Sequence, residues 1–432
     1  MEKVTIIGAG LAGSEAAFYL AEHGVNVTLY EMRPKTYTEA HKTDQFAELV
    51  CSNSLRSNLH SSAVGILKDE LRMQNSLIIQ SADKHQVPAG GALAVDRDLF
   101  SGFITDTLKN HTNIDIIHEE VKDIPKGPVI IATGPLSTQD LLDNILERMG
   151  EETLHFYDAA APIIDKDSIN MDICYKKSRY DKGTADYINC PMNEEQYNRF
   201  YDALTKGKTT KIRDFELKVF EACMPVEVMA ERGKQTLLFG PLKPVGLNHN
   251  GQKFHAVVQL RQDDIRASMY NMVGFQTHLT YGEQKRIFRM IPGLENAEFL
   301  RYGIMHRNSF LKSPTNLTAN YRLKGDQPLY IAGQLTGVEG YVESTSSGLV
   351  AARSMLRELE GKETVYFPKE TITGSLSDYI AHANKETFQP MHVTFGLLPE
   401  LGFKHKKKER KSLYANRALE TMSKFLKTLD DK

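Results

Sequence analysis

Lys3-Val-Thr-Ile-Ile-Gly-Ala-Gly-Leu-Ala-Gly13 decides the fold. An apolar run of strand character stops at three glycines in the spacing G-x-G-x-x-G, which reads as a buried strand turning into a helix. Gly8 permits the tight turn, Gly10 lets a pyrophosphate approach the backbone, and Gly13 lets the helix from Ser14 to about His23 pack closely on the strand. The phosphates would then sit on the free N–H groups at the start of that helix, so Ala9, Leu11 and Ala12 join the glycines as cofactor-binding candidates. A bare glycine motif also occurs in ordinary strand-turn-helix packing. Here Gly24 closes the helix, a second strand Val25-Asn-Val-Thr-Leu-Tyr30 follows, and Glu31 ends it where an acid suits a ribose diol, with Arg33 beside it. The chain begins with a dinucleotide site.

The other end of the chain decides which dinucleotide. Leu329-Tyr-Ile-Ala-Gly333 repeats the strand-into-glycine pattern, and Thr336-Gly-Val-Glu-Gly340 leads into the helical stretch Glu343 to Arg353. Between the two ends, Pro128-Val-Ile-Ile-Ala-Thr-Gly134 is a short apolar strand closing in Ala-Thr-Gly, a pattern that resembles flavoprotein domains of the glutathione-reductase type. Three strand ends can thus converge on one ligand. FAD in that fold uses a late strand to close over its far end, whereas a nicotinamide nucleotide needs none, so the reading is FAD. Thr133, Gly134, Gly333, Gln334, Gly340 and Tyr341 complete the cofactor-binding candidates, with Tyr341 and Glu343 expected near the flavin ring.

From about Asp158 the pattern changes. Ala159-Ala-Ala-Pro-Ile-Ile164 and Asp186-Tyr-Ile-Asn-Cys-Pro191 look like short strands separated by polar turns, with further strands at 254–260 and 269–275. The expected fold class is therefore α/β: a Rossmann-like FAD-binding domain of glutathione-reductase type, residues 1–157 and 327–432, with an inserted α+β domain at 158–326. Between residues 1 and 157 a single helix is expected from Val64 to about Ala82, and Asp96 or Asp98 is placed to cap the next. The segment 327–432 ends in a basic helical tail. Seven of the eight residues from Lys404 to Lys411 are basic or histidine, which suits phosphate backbone and equally suits a solvated helix face.

A chain of 432 residues, 41% apolar and 25% charged, has material for two domains. Its net charge of −2 gives no global attraction for nucleic acid, so any such binding has to come from local clusters like the tail. Met1-Glu-Lys runs straight into the first strand, and no apolar run approaches the roughly 18 residues of a membrane span, so the expectation is a soluble cytoplasmic protein. Cys51, Cys174, Cys190 and Cys223 lie far apart without C-x-x-C or paired Cys/His spacing, which argues against zinc and against a dithiol centre. Each is read as a single thiol, a type more often buried and inert than reactive.

Five stretches taken together carry a resemblance: Gly8–Ala17, Phe46-Ala-Glu-Leu-Val-Cys-Ser-Asn-Ser-Leu-Arg56, Pro88-Ala-Gly-Gly-Ala-Leu-Ala-Val-Asp-Arg97, Cys223-Met-Pro-Val-Glu-Val-Met-Ala-Glu-Arg-Gly233 and Ala332-Gly-Gln-Leu-Thr-Gly-Val-Glu-Gly-Tyr-Val-Glu-Ser344. They resemble the folate- and FAD-dependent tRNA (uracil-5-)-methyltransferases, the TrmFO family, over essentially the whole chain. The resemblance implies 5,10-methylenetetrahydrofolate as carbon donor, NAD(P)H as reductant through FAD, and a T-loop uridine of tRNA as acceptor, with ribosomal RNA the alternative. It also implies Cys223 as the catalytic nucleophile. Cys51 is the rival for that role, or shapes the flavin pocket or protects the nucleophile. A small-molecule FAD oxidoreductase would leave Cys223 and the basic tail as bystanders. A noncatalytic RNA-binding flavoprotein would keep the tail and lose the chemistry.

Overall fold

Val4-Thr5-Ile6-Ile7 lacks polar alternation because it is the central strand of a parallel sheet covered on both faces. The computed structural model describes residues 2–150, 154–181, 184–210, 224–325 and 327–430. The parallel sheet has the order β16 (Leu329–Ile331), β7 (Val129–Ile131), β1 (Val4–Ile7), β2 (Val27–Tyr30), β6 (Ile114–Ile117). Early and late stretches of the chain thus pair side by side, with Leu329 opposite Val129. A small antiparallel sheet of β3 (Ser54–Ser57), β5 (Ala92–Val95) and β4 (Gln86–Val87) flanks it.

The middle of the chain forms a six-stranded antiparallel sheet in the order β10 (Tyr175–Lys176), β11 (Tyr187–Met192), β12 (Ala256–Gln262), β13 (Met269–Met272), β9 (Ile163–Asp165), β14 (Phe299–Arg301). Strict alternation gives it two unlike faces. Ile188, Cys190, Met192, Val258, Leu260, Met272 and Ile164 point one way and pack on Tyr197, Phe200, Val226, Ala230, Ile287 and Phe288 from the covering helices. The opposite face carries Tyr187, Asn189, Gln259, Arg261, Asn271 and Arg301. The pair β8 (Leu154–Ala159) and β15 (Met305–Phe310) links this unit to the parallel sheet.

Two close approaches hold the parallel sheet's helices. A Cβ on Gly13 would lie 1.8 Å from the Gly8 carbonyl oxygen, so glycine is required for the Leu11–Glu22 helix to sit on the end of β1. A Cβ on Gly348 would lie 2.2 Å from the Ala12 oxygen, so the Tyr341–Leu359 helix in turn sits directly on the first helix.

The stretch from Val64 differs from the single helix expected. It is two helices, Ala63–Arg72 and Leu77–Lys84, broken where Asn75 takes φ 56° and Ser76 caps the second by accepting from the Ile79 N–H. Asp96, not Asp98, caps the Arg97–Lys109 helix. The basic run leads into the last helix, which starts at Arg410, so Lys404 to Lys408 precede it as exposed chain. Among the described residues no helix is long and apolar enough to cross a membrane.

Buried carboxyls fasten two helix starts. Glu15 accepts from the Ser76 hydroxyl and the Ile78 N–H, and Glu70 accepts from the N–H groups of Ile372 and Thr373 and from the Thr373 hydroxyl. Burial pushes both up to about 7, more than their hydrogen bonds pull them down. For Glu70 the folded value lies above the unfolded one, so the native state holds the extra proton between them. Its contribution to stability is complete below the ordinary value of 4.5 and is lost as pH rises through about 7. Glu70→Gln should therefore gain melting temperature relative to the unmodified protein as pH is raised from about 5 to about 8. Thermal melts at the two pH values check this, and a difference that stays constant would contradict it.

Candidate functional site

The turn after β1 forms a cradle. Gly8 has φ 97°, and its Cβ would fall 2.7 Å from the Ala132 oxygen, so only glycine fits between the two strand ends. At Gly10 a Cβ would meet nothing nearer than the Ala132 oxygen at 4.0 Å, because this position faces open space. Gly10 is also the residue preceding the Leu11–Glu22 helix, whose start has no side-chain cap. The N–H groups at Leu11, Ala12 and Gly13 are those an α-helix leaves without an internal acceptor, and they carry the positive end of its dipole.

Glu31 closes the other side. One carboxylate oxygen accepts from the Ala9 N–H at 3.0 Å, and the other from the Arg33 N–H at 3.1 Å and from Arg33 Nε at 2.8 Å. Burial would raise this carboxyl, but the hydrogen bonds and charge of Arg33 outweigh it and hold the group below its ordinary value. Arg33 is itself buried, donating also to the Thr43 carbonyl and to Glu48. A carboxylate has about four acceptor positions, so Glu31 keeps capacity for a ribose hydroxyl. A cleft is lined by Gly8, Gly10, Glu31, Arg33, Thr133 and Leu136, among others.

The other strand ends bring the remaining candidates to the same edge of the sheet. Thr133 hydrogen-bonds Ser137, and Gly134 takes φ 71°. The Gly333 N–H donates to Ser347 Oγ at 2.7 Å, and Gln334 donates to Glu339 at 3.0 Å. Gly340 precedes the Tyr341–Leu359 helix with φ 108°. Glu343, read as a neighbour of the ring, is an interior carboxylate. It is fully buried, paired with Arg56, and accepts from the Val393 N–H at 3.0 Å. Burial opposes its charge, yet Arg56 and His392 bring the carboxyl down to about 2.

Tyr341 turns out to be the link to Cys51. Its hydroxyl accepts the N–H groups of Cys51 at 2.9 Å and Ser52 at 3.2 Å, 290 and 289 positions earlier in the chain. Burial pushes the phenol above its ordinary value, so it stays neutral. Three guanidinium groups hold the same loop. Arg97 donates to the Leu49 carbonyl, Arg301 to the Val50 carbonyl at 2.6 Å, and Arg261 to Ser52 Oγ at 2.7 Å and Asn53 Oδ1 at 3.0 Å. Arg97 is ion-paired with Asp263 at 3.0 Å. No sequence pattern marked these arginines, since their convergence depends on strand register.

Cys223 lies outside the described residues, as do residues 211–222 before it; the Val226–Glu231 helix begins just after Pro225. Cys174 and Cys190 are both free thiols, as read, but they are neighbours. They are buried side by side, Cys174 Sγ donating to Cys190 Sγ at 3.4 Å, with Cys174 just before β10 and Cys190 on the neighbouring β11, a proximity that sequence spacing could not show. That hydrogen bond and burial hold the Cys190 thiol well above its ordinary value, so it is unreactive. Among the described residues no group of three or more His, Cys, Asp or Glu could hold a metal ion.

A parallel sheet with a glycine cradle after its first strand, an acid after its second and two further strand ends on the same edge defines a dinucleotide-binding α/β protein of Rossmann type. The model of the family described as glucose inhibited division protein A matches residues 3–363. Methylenetetrahydrofolate--tRNA-(uracil-5-)-methyltransferase TrmFO of Bacillus licheniformis is 58% identical over 432 residues, covering 99% of this chain and 100% of its own. The protein of the same name from Staphylococcus epidermidis is 59% identical over 433 residues, again 99% of this chain and 100% of its own. The chain belongs to the glucose inhibited division protein A family and, within it, to the TrmFO group. The solved structure of Aquifex aeolicus GidA, 17% identical, superposes with a TM-score of 0.70 over 99% of this chain and 73% of that one, which is a likeness of fold.

The two glycines should respond differently to substitution. Gly10→Val has room for its side chain, so it should fold and melt cooperatively while filling the space a pyrophosphate needs, and the purified protein should lose its bound chromophore. Gly13→Val should fail to fold, because its Cβ would meet backbone at 1.8 Å. Absorbance of the purified proteins and their thermal melts check both, and a Gly10→Val protein with full chromophore would contradict the assignment.

Proposed function

We propose that this protein methylates C5 of a uridine in tRNA, taking the carbon from 5,10-methylenetetrahydrofolate and reducing equivalents from NAD(P)H through bound FAD, in the cytoplasm. The observation that carries the reading is end-to-end identity of 58% and 59% with relatives named for that folate-dependent activity. The cradle at Gly8, Gly10 and Gly13, with Glu31 and Arg33, suits the adenosine diphosphate half of FAD. Thr133, Gly134, Gly333, Gln334, Gly340 and Tyr341 are assigned to the rest of the cofactor. Bound flavin would supply the hydride that takes a transferred methylene group to a methyl group.

The chain's own role is to activate the acceptor. C5 of uracil is a poor carbon nucleophile until a thiolate adds at C6, which pushes electrons onto C5 so that it bonds the methylene carbon; loss of the C5 proton then expels tetrahydrofolate as the carbon–nitrogen bond breaks, hydride adds to the resulting exocyclic methylene, and the thiolate is expelled from C6. Cys223 is assigned as that thiolate, and Cys51, held at the cofactor-side loop, as its partner or protector. The base has to leave its stack to reach a thiol between two units. That requirement favours a cleft between an FAD-binding unit, residues 1–157 and 327–432, and an insertion at 158–326. A uridine of the T-loop is the assigned acceptor; ribosomal RNA is the alternative.

Cys223→Ala should abolish covalent capture of RNA carrying 5-fluorouridine while leaving flavin bound. An adduct that survives Cys223→Ala and vanishes in Cys51→Ala would exchange the two assignments. The exposed run Lys404 to Lys411 is assigned to phosphate backbone. Replacing Lys406, Lys407 and Lys408 together should weaken binding to all RNA sequences alike and flatten its salt dependence by about 0.7 to 0.9 per lost phosphate contact. An unchanged salt slope would mean that the run only faces solvent.

A further inference from the structure

The antiparallel sheet places five residues in one row across its strands. Tyr187 is opposite Arg261, Arg261 opposite Asn271, Asn271 opposite Ile163, and Ile163 opposite Arg301. Residues directly opposite one another point to the same face, here the face away from the sheet's apolar core. This row meets the Cys51 loop. Arg301 and Arg261 bond the residues on either side of the cysteine, Val50 before it and Ser52 and Asn53 after it. Asn53 answers from the loop, donating to the Gln262 carbonyl and to the Val95 carbonyl, each at 3.0 Å.

Neither arginine is there for an ion pair. Among the described residues, Arg97–Asp263 is the salt bridge at this seam, and no carboxylate lies within 4.0 Å of Arg261 or Arg301. Burial depresses both guanidinium groups below their ordinary value. Burying a guanidinium without a counter-ion costs several kcal/mol unless its N–H groups are well satisfied. Hydrogen bonds to the cysteine loop offset part of this cost, and Arg261 also donates to Asn271 Oδ1 at 3.5 Å.

We propose that Arg261 and Arg301 are positioning residues that fix Cys51 to the insertion, opposing the hold that the Tyr341 hydroxyl has on the same cysteine from the cofactor side. The loop is thereby fastened at consecutive residues from two directions, and the thiol's place relative to both units is set by strand register in the insertion. The two arginines differ in what they use. Arg261 directs Nε and an Nη to two separate loop acceptors, whereas Arg301 serves Val50 with an Nη and its Nε has no partner among the described residues. A lysine can replace the second arrangement and not the first.

What this inference says about turnover rests on the activity proposed above, so the test has one readout that needs neither folate nor RNA. In the flavin-loaded full chain, the rate at which iodoacetamide alkylates Cys51 is followed by peptide mass spectrometry for Arg261→Met, Arg261→Lys, Arg301→Met and Arg301→Lys. Both methionine variants should change that rate at least about fivefold while retaining flavin and leaving Cys174 and Cys190 unalkylated. Arg301→Lys should recover most of the loss and Arg261→Lys little of it. In carbon transfer, misplacing the loop should lower kcat about 10- to 100-fold with KM for folate and RNA within about twofold. Unchanged alkylation in both methionine variants would overturn the proposal, and so would equal behaviour of the two lysine variants. A raised KM for RNA at unchanged kcat would also overturn it and assign the arginines to the RNA backbone. If the unmodified protein transfers no carbon, the proposed activity fails while alkylation still decides the positioning role.

Discussion

Backbone contact at Gly8, Gly13, Ala12 and Gly348 is the constraint on which the rest of the molecule depends. With 1.8 Å and 2.2 Å as the distances a Cβ would have, the first helix touches the first strand and the Tyr341–Leu359 helix touches the first helix. Side chains at Gly13 or Gly348 would force these layers apart. That stack fixes where the late helix begins, hence where the Tyr341 hydroxyl stands, hence where the N–H groups of Cys51 and Ser52 are held. The glycine turn after the first strand therefore also helps to locate a thiol loop.

Charge inside this protein is placed where it can be satisfied by backbone. Glu31 and Arg33 are buried together and share the Ala9 N–H and the Thr43 carbonyl with the turn they brace. Lys68, fully buried, donates to the carbonyls of Leu55 and Ser57, both at 2.8 Å, beneath the segment that carries Arg56; burial and that neighbouring charge bring it down to about 7. Glu15 and Glu70 take helix N–H groups as their partners. Each such group would be expensive alone, and each instead fixes a loop or a helix start that an apolar contact would leave free to slide.

The features legible in the sequence are those written in local spacing. The G-x-G-x-x-G turn, Glu31 after the second strand, Ala-Thr-Gly134 and Gly333 all emerge at one edge of one parallel sheet, because a strand followed by glycine says the same thing wherever it occurs. The change of character in the middle, to an α+β unit, was legible for a similar reason, in short strands separated by polar turns. Pairings across long separations were not. Tyr341 with Cys51, Cys174 with Cys190, and the row from Tyr187 to Arg301 exist only once register is set. The break at Asn75 was hidden because apolar periodicity continued across it while a left-handed residue and a Ser76 cap ended the helix.

Transfer of labelled carbon tests the account most directly. With the purified flavin-loaded protein, NAD(P)H and methylenetetrahydrofolate labelled in its methylene group, label should appear as 5-methyluridine in unmodified tRNA, and should require both folate and reductant. Absence of label from tRNA and from ribosomal RNA alike, in a protein that binds FAD, would contradict the account and leave a flavoprotein with a different substrate.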